Sequence, residues 1–318
     1  MKDIVYRFVK ECRQMRGGAI STRVERTRKA GAIARDIAAA FPGLHAENIG
    51  RKHVAWYVGA LRSGELSKDG KVPTPGTMKN YLSVLRTVLR RLGKPNLLPA
   101  DNDALAVPRR SYVRRTSIAL VITGEQLAEV ERHSPYFAAS LLLMQAFGLR
   151  HEESMKVVPA LADHVTELRM QGSWCKNGKP RNILIRTAPQ REALSRAHAV
   201  AREGSLIPAS MTYIAAKKQF QAITGGFGIT HRHGLRHKYA ELRYIDLTGN
   251  QPPVLSGLSI GDVSASYVLV DRAARDTITF ELGHERRSAV GAYLGSLYRT
   301  KAELTNRSAS ARNSSSTQ

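Results

Sequence analysis

Between Thr77 and Leu92 the chain sets Tyr81, Leu85, Val88, Leu89 and Leu92 at helical spacing, with basic residues opposite and Gly93 and Pro95 directly after. Apolar side chains three and four apart gather on one side only of a 3.6-residue turn, so this stretch is committed to an amphipathic helix. The same pattern recurs from Arg28 to Phe41, where Ile33, Ile37 and the alanines share a face and Pro42-Gly43 stops the helix; a further helix is expected from Arg51 to Ser63. Thr123 opens another as N-cap, with Gln126 three residues on completing a capping box. Ser140 to Phe147 is so apolar that it must be a buried helix, and it ends at Gly148. Only Glu167 to Met170 and Asn182 to Ile185 read as short strands, joined through the polar turn Lys176-Asn177-Gly178-Lys179. The expected fold class is therefore mainly α with a small β-sheet (α+β).

At 318 residues two domains are the natural expectation. We divide the chain into a helical domain over 1–105, a basic linker over 106–118 with Arg109, Arg110, Arg114 and Arg115, a mixed, mostly helical domain over 119–300, and a tail over 301–318 too poor in apolar side chains to fold alone. Lys and Arg number 49 against 26 acids, a net charge of +23, and +15 of this lies before residue 119. Such an excess favours a polyanionic partner, double-stranded DNA first and an anionic membrane second. No apolar run is long enough to span a bilayer and no signal-peptide stretch opens the chain, so a soluble, cytoplasmic protein is expected. The two cysteines, Cys12 and Cys175, suggest neither a disulfide framework nor a cysteine metal site, and a reducing compartment fits.

Three separated segments carry the residues with chemistry. They are Gly148-Leu149-Arg150 with Glu153 three residues on, His233-Gly234-Leu235-Arg236, and Glu281-Leu282-Gly283-His284 with Tyr293 nine residues after the histidine. Arginine forks match two phosphate oxygens and stay charged at working pH, and His233 and Arg236, three apart, share a helix face. A tyrosine beside such a cluster is a candidate nucleophile towards a phosphodiester. Tyr298, Tyr267 and Tyr244 are the competing tyrosines. A metal reading of His231, His233 and His237 lacks the HExxH arrangement and a well-spaced third carboxylate, so no metal is expected.

These boxes, from Ala146-Phe147-Gly148-Leu149-Arg150 to Tyr293, resemble the tyrosine recombinases, the phage-integrase family of DNA strand-exchange enzymes. The resemblance implies a helical SAM-like core-binding domain followed by a mixed, mostly helical catalytic domain. It implies Arg150 and Arg236 as phosphate clamps, Glu153 as support, His233 as the group that takes or shares the tyrosine proton, His284 as a phosphate donor and Tyr293 as nucleophile. It also implies a hairpin lysine that protonates the departing 5′-oxygen, Lys176 fitting best and Lys179 being its rival. The family link needs no cofactor, joins four protomers on paired sites and serves a mobile element; the implied place of work is the nucleoid. Lys79, Arg86, Arg109, Arg110, Arg114 and Arg115 are the expected DNA-binding residues. One departure stands out: 48 residues separate Arg236 from His284, about twice the family spacing, with an apparent insertion near 249–272 that leaves the site intact if it loops out. Two other classes share the scaffold, a non-cutting architectural protein and a type IB topoisomerase-like nicking enzyme, the first distinguished by a missing nucleophile or arginine, neither of which is missing here.

Overall fold

The computed structural model describes residues 2–298, so the 301–318 tail and the last two residues of the 119–300 domain lie outside the described residues. The chain forms two compact units that divide between Ser111 and Tyr112, within the basic 106–118 segment.

The first unit is built from α1 (Lys2–Arg13), α2 (Ile20–Ala40), α3 (Arg51–Ser63) and α4 (Pro75–Arg91). Thr74 caps α4 by accepting a hydrogen bond from the Thr77 amide, and Pro75 at the first turn needs no amide partner there. The core joins Ile4 and Phe8 of α1, Ile33 and Ile37 of α2, Val54, Tyr57 and Leu61 of α3, and Leu85, Val88 and Leu89 of α4. The buried stripe of α4 is rotated slightly from the one expected. Met78 and Leu82 are buried, whereas Tyr81 and Leu92 pack at its margin half-buried, the Tyr81 ring 5.8 Å from the Lys29 ammonium.

The second unit opens with α5 (Gly124–His133), whose capping box is formed as expected: Thr123 Oγ1 accepts from the Gln126 amide and Gln126 Oε1 accepts from the Thr123 amide. Next come α6 (Pro135–Phe147), α7 (His151–Lys156) and α8 (Pro159–Ala162). A two-stranded antiparallel sheet follows, β1 (Glu167–Met170) and β2 (Arg181–Leu184), pairing Glu167 with Leu184 and Met170 with Arg181. The remaining helices are α9 (Ala188–Ala201), α10 (Tyr213–Gly226), α11 (His233–Thr248), α12 (Pro253–Ser256), α13 (Ala265–Glu281) and α14 (Gly291–Leu294).

Helix α6 is apolar all round because it is buried on two sides, as expected of such a helix. Leu143 and Phe147 meet Leu168, Ile183 and Leu194 of the sheet and α9, while Phe137, Leu141 and Met144 meet Val130, Phe220 and Leu235. A third core joins Tyr239 and Tyr244 of α11 to Ala274, Ile278 and Leu282 and to Val290, Tyr293 and Leu294. The 249–272 segment does not loop out. It supplies α12, whose Val254 backbone lies close under Gly295, and the first turns of α13, where Asp271 is buried and accepts from Tyr244 and Arg275. A buried carboxylate with two donors ties the segment to α11.

Candidate active site

Gly148 ends α6 in the left-handed conformation (φ 60°), and a Cβ there would fall 2.5 Å from the Tyr239 ring, so only glycine makes this turn. The turn delivers Arg150 to the N-cap of α7. Glu153 Oε2 accepts from the Arg150 amide at 2.8 Å and Oε1 from its Nη1 at 2.6 Å, so one carboxylate caps the helix and aims the guanidinium. Arg150 Nη2 reaches the Gly283 carbonyl at 3.3 Å, and the side chain keeps 22% of its surface in solvent. Burial would raise the Glu153 pKa, but Arg181, then Arg150 and Arg236, outweigh it and hold the carboxyl down at about 2.

Arg236, one turn into α11, is fully buried. Its Nη1 donates to the Gly148 carbonyl, Nη2 donates to the Leu282 carbonyl and lies 3.3 Å from His284 Nε2, and Nε donates to the Tyr293 hydroxyl at 3.2 Å. Burial lowers its pKa to about 10, so it remains a cation at neutral pH. Because arginine only donates, His284 Nε2 must be the accepting nitrogen and its proton sits on Nδ1. The Tyr293 hydroxyl, accepting from Arg236, has its own proton left for His233 Nε2, 3.3 Å away. Tyr293 is 4% exposed; its ring lies 4.4 Å from His237 and 5.6 Å from His284. The structure thus brings together Arg150, Glu153, His233, Arg236, His284 and Tyr293 from three segments.

The histidines are kept neutral. Burial, helped by Arg236 and other cations, lowers His284 to about 3, and burial with His233, Arg114 and Arg236 lowers His237 to about 3. Burial, with Arg236, Arg150 and Arg114, lowers His233 to about 4. A group whose folded pKa lies below its unfolded value of 6.5 binds protons in the unfolded chain first, so its stabilisation is complete above pH 6.5 and is lost as pH falls towards the folded pKa. The DNA-free protein should therefore lose melting temperature steadily from pH 6.5 to pH 4. His237→Phe keeps the ring, removes an unpartnered buried Nδ1 and should flatten that slope by one proton. Equal slopes for the two proteins would show that His237 titrates normally.

The hairpin lysines differ. Lys179 pairs with Glu285 at 2.6 Å, next to His284, whereas Lys176 is exposed on the turn and takes part in none of the contacts of the cluster. Of the expected DNA-binding residues, Arg109 pairs with Asp103 at 2.9 Å, and Arg86 is occupied within its own unit by the Pro99 carbonyl and Asn102. Lys79 is half-buried on α4, and Arg110 lies over Gly76. In the second unit Arg114 and Arg115 are exposed, the Arg114 amide bonding the Gly291 carbonyl at 3.2 Å. Among the described residues no group of three or more His, Cys, Asp or Glu side chains is placed to hold a metal ion, and no helix is long and apolar enough to cross a membrane.

Sequence reasoning missed Arg181, Glu281 and the contact of His237 with the Tyr293 ring. Arg181 was discoverable, because two-residue alternation puts it on the same side of β2 as the buried Ile183. Glu281 gathers Tyr239, Arg243 and Arg186 around a buried carboxylate, an arrangement that no spacing announces.

Residues 112–242 match the family described as Integrase, a span that holds Arg150, Lys176, His233 and Arg236 and stops short of His284 and Tyr293. No curated protein matches the chain. Among solved structures, a lambda integrase dimer bound to a COC′ core site is 16% identical with a TM-score of 0.55, covering 91% of this chain and 75% of that one. XerH site-specific recombinase bound to difH substrate is 14% identical with a TM-score of 0.53, covering 96% and 84%. The Tn1549 transposon integrase in complex with circular intermediate DNA is 10% identical with a TM-score of 0.50, covering 96% and 98%. At these identities the structures establish the fold, mostly helical with a small sheet, and the Integrase match adds a sequence likeness over residues 112–242 of the second unit.

Proposed function

We propose that this chain is a site-specific DNA strand transferase in which Tyr293 attacks a phosphodiester. The observation that carries the reading is the directed relay from Arg236 Nε through the Tyr293 hydroxyl to His233 Nε2. The phenol oxygen forms a bond to phosphorus while its proton passes to the neutral His233. The bond from phosphorus to the 5′-oxygen breaks, leaving a 3′-phosphotyrosyl link and a 5′-hydroxyl, which can then attack the phosphotyrosyl bond of a partner duplex. Arg150 and Arg236, with His284 donating through its Nδ1–H, converge on the negative charge that grows on the non-bridging oxygens, work that fixed donors do well when water is excluded. For Arg236 to meet a phosphate oxygen through Nε, that oxygen takes the direction now filled by the phenol. Trapping on a nicked substrate, resolved on a denaturing gel, tests the reading; a wild-type protein that binds DNA and forms no adduct would sink it.

Lys176 is the proposed donor of the proton to the leaving 5′-oxygen, a role supported by its freedom on the turn and by the engagement of Lys179 with Glu285. General acid catalysis of this kind is worth ~10²–10⁴-fold. Lys176→Ala should slow cleavage by that order on ordinary DNA and recover most of it when sulfur replaces the 5′-bridging oxygen, since a thiolate leaves without a proton. Rescue of Lys179→Ala in place of Lys176→Ala would move the assignment three residues along the hairpin.

The solved relatives include a lambda integrase dimer on a core site and a tetramer on a Holliday junction. We read the working form here as a homotetramer on paired duplex sites, acting in the cytoplasm at the nucleoid. The DNA complexes of the transposon integrase favour a mobile element as the host.

A further inference from the structure

Arg181 begins β2, pairs in register with Met170 and turns inward with its side chain only 2% exposed. Its donors are engaged on three sides. Nη2 donates to Glu153 Oε2 at 2.7 Å, Nη1 to Glu153 Oε1 at 3.2 Å and to Cys175 Sγ at 3.3 Å, and Nε to the Glu281 carbonyl at 2.8 Å. Glu153 is fully buried and already holds Arg150 through both its oxygens. Two arginines on one buried carboxylate are a poor way to gain stability, because the desolvation of the charges offsets most of their attraction. They are a good way to fix direction. A bidentate fork holds the plane of the carboxylate, and a carboxylate held in plane holds the guanidinium on its other edge.

The second contact acts on the other half of the cluster. The Glu281 carbonyl ends α13, and the next three residues supply the Leu282 carbonyl to Arg236, the Gly283 carbonyl to Arg150, and His284 itself. Gly283 is shaped for this neighbour: it sits at φ +61°, and a Cβ there would lie 3.0 Å from Arg181 Nη1.

We propose that Arg181 is a positioning residue, which by gripping Glu153 and the end of α13 together brings Arg150, Arg236 and His284 onto one phosphate. This rests on the reading that the cluster binds the scissile phosphate.

The test is cleavage of a nicked substrate at saturating DNA by Arg181→Ala and Arg181→Lys, with DNA affinity and melting temperature measured beside it. Displacing a clamp by about 1 Å costs ~100-fold in rate, so Arg181→Ala should cleave about 100-fold more slowly while binding DNA much as the wild type does. Lysine keeps the charge without the fork and should restore only part of the rate. Neither variant should be rescued by sulfur at the 5′-bridging position, because the loss lies in the phosphate clamp and not in proton delivery. Gly283→Ala, which pushes on the same contact from the other side, should show the same slow, unrescued cleavage.

Full cleavage by a folded Arg181→Ala overturns the proposal, as does rescue on the sulfur-bridged DNA, which would couple Arg181 to the hairpin lysine instead. A parallel fall in binding, melting temperature and cleavage also overturns it, by making the residue simply structural. Where Arg181→Ala does not fold, normal cleavage by both Arg181→Lys and Gly283→Ala has the same effect. A wild-type protein that forms no adduct at all fails the functional reading itself, and that is seen before any variant is made.

Discussion

Tyr293→Phe should bind DNA with nearly wild-type affinity and form no covalent adduct on a nicked substrate. The substitution removes one oxygen and leaves the ring where it packs, 4.4 Å from His237 and 5.6 Å from His284. Two partners lose a bond, Arg236 Nε and His233 Nε2. His233 has an edge in water and can take a solvent partner there, while the buried Nε cannot, so the cost to stability should be about 1–3 kcal/mol. The other tyrosines are poorly placed to replace it. Tyr244 is buried and donates to Asp271, Tyr267 is hydrogen-bonded to Tyr244, and Tyr298, though 60% exposed, lies in none of the contacts of the cluster. An adduct that persists in Tyr293→Phe would mean that another tyrosine attacks, and peptide mapping of that adduct would name it.

What could be read from the chain, and what could not, follows from the range of the forces involved. Helices α3 and α5 are written locally, in apolar spacing and in capping residues such as Thr123 and Gln126, and α3 falls on the bounds expected. The apolar run ending at Phe147 announced its own burial, and Gly148 its own turn. The rotation of α4 that buries Met78 and Leu82 and moves Tyr81 to the margin depends on which neighbours arrive, and spacing alone does not choose between adjacent stripes. Arg150, His233, Arg236, His284 and Tyr293 were legible through motif spacing, and they do converge. The inward face of Arg181 could be read from the alternation of β2, but its partners and the role of Glu281 could not, because they rest on contacts about 30 to 100 residues away in sequence, with Glu153 or with Tyr239, Arg186 and the Arg181 side chain itself. The long interval before His284 looked like an inserted loop because its length was conspicuous and its packing was not; the Asp271 carboxylate that fastens it to Tyr244 and Arg275 is one acidic residue among many until the helices meet.

Arg150→Ala and Arg236→Ala should both slow cleavage by ~10²–10³-fold, the range for removing one preorganised donor from developing negative charge, yet they should part company in stability. Arg150 keeps 22% of its side chain in solvent, and its carboxylate partner Glu153 retains the bidentate Arg181 when Arg150 is gone. The fold therefore loses little, and melting should hardly move. Arg236 is enclosed on every side, and alanine there leaves the Gly148 and Leu282 carbonyls without their donor. Each orphaned carbonyl costs about 1–3 kcal/mol, only partly offset by removing one buried cation from beside Arg150 and Arg181. The variant should melt at a clearly lower temperature, and lysine should not restore it, since one ammonium cannot reach two carbonyls, His284 and Tyr293 from a single point. Single-turnover cleavage at saturating DNA, read beside thermal melting and DNA affinity, separates the outcomes. If Arg150→Ala loses affinity as steeply as it loses cleavage, Arg150 is an ordinary DNA contact and not a clamp on the reacting phosphate. If Arg236→Ala melts low but cleaves normally once folded, its network of carbonyls is scaffolding and the phosphate is held elsewhere.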